Sequence, residues 1–160
     1  MIPTDSPYVL LDDARVSGAS PARLYSKPVR TLIARSSDDI ALLFDALGSA
    51  QAEGLHAAGF FCYDAGSALI PHLPNPPVDM LAWFGLFEHY QTFDAEVMTA
   101  SLPDSAGAWL SWLRPGISRS DYAKAFADVQ EYIASGDIYQ ANLTFPLSAD
   151  YAGDPLALYA

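Results

Sequence analysis

A change of hydrophobic period at Gly136 constrains this chain more than any other feature. Before it, Tyr122, Phe126, Val129 and Ile133 recur at spacings of four, three and four, which places them on one face of a helix. Ser118 and Ser120 each offer a hydroxyl to the free N–H groups of that helix's first turn. Gly136 supplies the left-handed residue that closes a helix C-terminus. Beyond it the period is two: Tyr139, Ala141, Leu143, Phe145 and Leu147 alternate with Gln140, Asn142 and Thr144. The stretch 118–147 therefore reads as a capped amphipathic helix, a glycine stop and a strand. The strand's polar side, Gln140, Asn142 and Thr144, would border a ligand, face solvent or make structural hydrogen bonds.

Composition narrows the classes of function. A length of 160 residues suits one domain, or one domain and part of a second. With a net charge of −11 and eight scattered Lys and Arg, the chain offers no cationic surface for nucleic acid or an anionic membrane. Cys62 is the one cysteine, so no internal disulfide forms, and its apolar surroundings predict a buried, inert thiol. The N-terminus, MIPTDSPYVLL, lacks the basic region and apolar core of a secretory signal. No apolar stretch reaches the roughly 18 residues that a membrane-spanning helix needs. These features together predict a cytoplasmic protein.

Taken in order, Tyr8 to Leu11 and Val29 to Ala34 read as strands, with a turn over Ser17 to Pro21. Ser36 or Ser37 caps the next helix, Asp38 and Asp39 suit its N-terminal dipole, and Ile40, Phe44 and Leu47 form its apolar stripe. Gly48 is read as its stop, with GSAQAEG as exposed loop. Leu55 to Tyr63 is nearly all apolar and predicts a strand covered on both faces. The prolines of Pro71 to Pro77 make a surface connection. Met80 to Tyr90 reads as the second apolar strand, with Gln91 to Met98 pairing near it, and Leu102 to Gly107 as a loop. Arg114-Pro115-Gly116 marks a boundary, and DPLALYA opens another helix.

The residues across the period switch carry more than periodicity. Ile133-Ala134-Ser135-Gly136-Asp137-Ile138-Tyr139-Gln140, continued by Asn142-Leu143-Thr144, resembles the opening of the catalytic domain of the chorismate-binding enzymes. That family includes component I of aminodeoxychorismate synthase and of anthranilate synthase, and the Asn-Leu-Thr continuation resembles the first branch. Upstream, LLDDAR, GFFCYDAG and WFGLFEHYQTFD follow the order of the N-terminal region of the same synthases. The resemblance implies an α+β fold, mainly antiparallel sheets with helices packed outside. It divides the chain into an N-terminal region, 1–115, and the beginning of a catalytic domain, 116–160. The implied activity is that of a transferase that aminates chorismate to 4-amino-4-deoxychorismate for p-aminobenzoate and folate synthesis. Anthranilate synthase component I and a non-catalytic module binding a small molecule or a partner remain the alternatives.

The groups that such a reaction requires lie elsewhere. In the family, glutamates, a histidine, an arginine and glycine-rich backbone far downstream of this stretch neutralise the substrate carboxylates and hold Mg²⁺. The aminodeoxychorismate branch adds a lysine nucleophile in a Pro-Ile-Lys-Gly-Thr segment. None of these motifs occurs before Ala160. No catalytic residue, metal ligand or cofactor is therefore assigned to this chain, and alone it is expected not to turn over chorismate. The full-length enzyme is expected to use Mg²⁺, with ligands outside this chain, and a glutamine amidotransferase subunit as ammonia source. In feedback-regulated anthranilate synthases a tryptophan pocket begins at a Leu-Leu-Glu-Ser element. Leu11, Asp12 and Asp13 stand at the matching positions here and are the effector-pocket candidates, and aspartate in place of serine argues against tryptophan feedback.

Other constellations have plainer readings. Asp12-Asp13 points apart in a strand and Asp38-Asp39 marks a helix N-terminus, so neither pair predicts a cation site. His56, His72 and His89 have no partners at ligand spacing. Trp83, Phe84, Phe87 and Tyr90 read as core. Strands left without neighbours would expose edges and apolar faces, which predicts self-association, exchange of the terminal helix–strand unit or disorder near the C-terminus.

Overall fold

The structure of the chain, a computed structural model, describes residues 2–3, 5–15, 17–70 and 79–160, with the side chains of residues 68 and 69 left aside. The proline-rich run 71–77, with His72, lies outside the described residues. Two compact units are present, Met1–Ser101 and Leu102–Ala160. Helices and small, wholly antiparallel sheets make it an α+β structure. Among the described residues no helix is long and apolar enough to cross a membrane.

The first unit runs β1 (Tyr8–Leu11), β2 (Ala22–Ser26), β3 (Arg30–Ala34), α1 (Ser37–Ala52), β4 (His56–Phe61), a short α2 (Gly66–Leu69), β5 (Ala82–Phe87), β6 (Gln91–Phe93) and α3 (Ala95–Ser101). The strands form two three-stranded sheets, ordered β1-β2-β6 and β3-β5-β4. Alternation along β5 decides what each face of the second sheet covers. Ala82 and Phe84 join Leu32 and Ala34 of β3 against Ile40, Leu43 and Leu47 of α1. On the other face, Phe87 and Ala58 meet Tyr25 of β2 and Val9 of β1. The second sheet is thus the middle layer of the unit, between the first sheet and α1. Burying Ile40 and Leu43 contributes about 1.5–3 kcal/mol each.

α1 begins as its sequence predicts and ends later. The Ser36 hydroxyl accepts from Asp39 N–H at 3.3 Å, and the Asp39 carboxylate accepts from Ser36 N–H at 2.9 Å, a reciprocal capping box. Gly48 does not stop the helix. Helical hydrogen bonding continues to Ala52 because Ala50 packs fully inside, at 0% exposure. Gly54, at φ +80°, makes the reversal instead, with Gly54 N–H on Gln51 C=O and Leu55 N–H on Ala50 C=O.

Three further expectations are corrected in this unit. β4 is not covered on both faces: Phe60 and Phe61 remain 48% and 41% exposed, because α1 and the first sheet reach only part of it. Cys62, just after it, is half-buried rather than enclosed. The segment from Gln91 does not pair beside β5. It crosses to the first sheet, where Ala22 opposes Phe93 and Leu24 opposes Gln91, and from Ala95 it turns helical, burying Met98. β2 itself had no counterpart in the sequence reading.

The second unit contains β7 (Ala108–Leu110), β8 (Arg114–Pro115), α4 (Arg119–Ser135), β9 (Leu147–Ser148), β10 (Tyr151–Gly153) and α5 (Pro155–Tyr159). β7 pairs with β10 and β8 with β9. Arg114 binds Asp150 bidentately at 3.0 and 3.1 Å beside this pairing. Ser118 caps α4 by accepting from Asp121 N–H at 3.1 Å, and Gly136 closes it at φ +83°. The strand predicted from Tyr139 is absent until Leu147. Alternation states which side chains would share a face, but a ladder also needs a neighbouring strand, and none of the described residues supplies one. Ala157 is the one buried residue described in this unit.

Candidate functional site

The candidate pocket is built on the first sheet. Register places Leu11 opposite Arg23 and Arg23 opposite Thr92, so one residue from each of β1, β2 and β6 falls in a single row. The turn between β1 and β2 brings Asp12, Asp13, Ser20 and Pro21 to the end of that row, and Tyr90 enters from the β5–β6 connection. Together they line an open cavity of about 420 Å³. Leu11, Asp12 and Asp13, the effector-pocket candidates, are therefore brought together in one depression.

Asp13 has a structural occupation there. Its carboxylate accepts from Arg15 Nε at 2.8 Å and from Ser20 N–H at 2.9 Å. The hydrogen bonds from the Arg15 guanidinium, then the one from Ser20 N–H, hold its carboxyl well below the usual carboxylate range. Asp13 thus staples the β1–β2 turn, and its charge is already matched by Arg15. Arg23 is placed differently. Its guanidinium lies 5.6 Å from the centroid of Tyr90, whose ring packs on Tyr25 at 5.0 Å and His56 at 4.9 Å. Among the described residues the Arg23 guanidinium has no hydrogen bond or ion pair. The pocket therefore presents one aromatic-supported cation, an arrangement suited to holding a small anionic group.

Arg23, Tyr90 and Thr92 were missed from sequence. Tyr90 belongs to a run whose composition reads as core, and Arg23 lies on β2, a strand not predicted from the sequence. The available signal was the alternation of Ala22, Leu24 and Ser26 with Arg23 and Tyr25.

Gln140, Asn142 and Thr144 fall on the unpaired stretch after α4, and all three are exposed. Nothing convergent surrounds them in their unit. Phe145, on the alternate side, packs edge-on against Tyr122 of α4 at 5.4 Å. His56 makes ring contacts with Tyr25 and Tyr90. Among the described residues, no three His, Cys, Asp or Glu side chains gather as a metal would require.

Comparison with known proteins places these features in a class. Residues 6–160 match the family of chorismate binding enzymes, and the chain belongs to that family. Two curated relatives carry a more particular name, aminodeoxychorismate synthase component 1. The protein of that name from Klebsiella aerogenes is 30% identical over 122 residues, covering 61% of this chain and 27% of the relative. The one from Escherichia coli (strain K12) is 29% identical over 122 residues, covering 61% of this chain and 26% of the relative. The chain thus spans about a quarter of the length of these relatives. No solved structure matches it.

Proposed function

We propose that this chain is the N-terminal portion of an aminodeoxychorismate synthase component I, a cytoplasmic enzyme that aminates chorismate to 4-amino-4-deoxychorismate for p-aminobenzoate synthesis. The observation that carries the reading is the match over 122 residues to two relatives of that name. In this reading a glutamine amidotransferase subunit supplies ammonia, and Mg²⁺ neutralises a substrate carboxylate. Among the described residues no three His, Cys, Asp or Glu side chains gather to hold such an ion. Its ligands are assigned outside this chain, and no step is derived through it.

What the chain contributes is architecture. Its first unit positions the pocket at the β1–β2 turn, and its second supplies the capped helix and the stretch carrying Gln140, Asn142 and Thr144. The isolated chain is expected to leave chorismate unchanged in the presence of ammonia and Mg²⁺. Formation of aminodeoxychorismate by the purified 160-residue protein would overturn this. The pocket supports the aminodeoxychorismate branch in a second respect. A feedback site for tryptophan must accept its ammonium, yet the Asp13 carboxylate is already committed to Arg15 and Ser20. Titration calorimetry with tryptophan is expected to show no saturable heat, and saturable binding would count against this assignment.

A further inference from the structure

Alternation ties the depression at the β1–β2 turn to the space between the two sheets of the first unit. Leu11 shares a face of β1 with Val9, and Arg23 shares a face of β2 with Tyr25. Val9 and Tyr25 pack with Ala58 and Phe87 of the second sheet. The row Leu11, Arg23, Thr92 therefore lies on the inward face of the first sheet, at the end where Tyr90 enters. We propose that this depression binds a carboxylic acid that has an apolar body and no amino group.

Order along the row is the first argument. Arg23 is the middle residue, with Thr92 directly opposite on one side and Leu11 on the other. Opposed residues have Cβ atoms about 5 Å apart, so the guanidinium and the Thr92 hydroxyl reach a single carboxylate together. Leu11 and Pro21 give the other side an apolar wall for the rest of the molecule. Tyr90 supports the guanidinium from 5.6 Å and is braced by its own ring contacts with Tyr25 and His56. The cavity, about 420 Å³, is of the size that small-molecule sites occupy.

Charge is the second argument, and it sets the class of anion. Asp12 and Asp13 line the same depression as Arg23. A phosphate dianion would bring more negative charge than Arg23 offsets, beside two carboxylates, whereas a monocarboxylate is matched by Arg23 alone. An amino group is disfavoured for a separate reason. The Asp13 carboxylate already accepts from Arg15 and Ser20, and an ammonium next to the bound carboxylate would stand beside the Arg23 guanidinium, cation against cation.

The inference rests on the pocket and not on the amination reaction, so its failure on the first probe below leaves the chain's place in a synthase untouched. Indole-3-propionate, which is tryptophan without its amino group, separates the features named. Titration calorimetry on the purified protein is expected to show saturable binding of indole-3-propionate, none of tryptophan, and no competition by inorganic phosphate. Arg23→Gln is expected to weaken indole-3-propionate at least about tenfold, the loss of one charge-assisted contact, and Thr92→Val by a smaller factor. Both positions are exposed on their strands; should either variant fail to fold, the three probes on the unmodified protein decide the matter. Absence of indole-3-propionate binding, unchanged affinity in folded Arg23→Gln, or tryptophan or phosphate binding as tightly would overturn the proposal.

Discussion

Replacing Gly59 with alanine tests how the middle layer of the first unit is assembled. Gly59 lies opposite Phe84 in the β4–β5 pair. A methyl group at this position would overlap the Trp83 carbonyl oxygen and stand 2.6 Å from Phe84 Cα and 2.9 Å from Phe84 Cγ. Two of those atoms are backbone of the central strand, held between β3 and β4, so they cannot swing aside as a flexible side chain would. Overpacking costs about 1–3 kcal/mol where neighbours can adjust, and the rigid surroundings put Gly59→Ala at the upper end. The entropic benefit of losing a glycine returns about 0.5–1 kcal/mol. A net loss of about 2 kcal/mol or more remains. For a unit of this size that corresponds to a fall in Tm of at least about 8 °C. Thermal unfolding followed by near-ultraviolet circular dichroism reads it directly, since Trp83 lies on β5. A Tm unchanged or raised would refute the packing described for β4 on β5.

Gly48→Ala should have the opposite sign. A methyl there meets nothing within 4 Å and the residue is inside α1, so about 0.5–1 kcal/mol of stabilisation and a raised Tm are expected; a lowered Tm would restore Gly48 as a helix stop. Asp13 has a carboxyl depressed in the folded state below its ordinary value of 3.8, so its contribution is present above that pH and is lost as the pH falls below it. Asp13→Ala should therefore lower Tm at pH 7 and converge with the unmodified protein as acid is added; a difference in Tm that persists unchanged into strong acid would contradict the staple.

Much of this fold was legible because its signals are local. Ser36, Ser118 and Gly136 act within a single helical turn, and the structure places each where the sequence offers a cap, while Asp39, read only as suiting the helix dipole, closes the capping box. β1 and β3 follow from short β-prone runs. What failed was information that lies between elements. Gly48 has the residue type of a stop, but burial of Ala50 two residues on carries the helix past it. Gln91–Phe93 was assigned to the wrong neighbour, because adjacency in sequence does not say which sheet a strand joins. The pocket shows the same division. Leu11, Asp12 and Asp13 are candidates through a matching family element, whereas Arg23 and Thr92 join them in one depression only once register aligns three strands. The polar alternation after Gly136 was read correctly as a pattern and too readily as a strand.

Activity of a chimera tests most directly the central claim that this chain supplies the scaffold of such a synthase. This chain would replace the aligned segment of the Klebsiella aerogenes relative, and the purified chimera would be supplied with chorismate, ammonia and Mg²⁺. The account predicts 4-amino-4-deoxychorismate. A folded chimera that forms no 4-amino-4-deoxychorismate would contradict it.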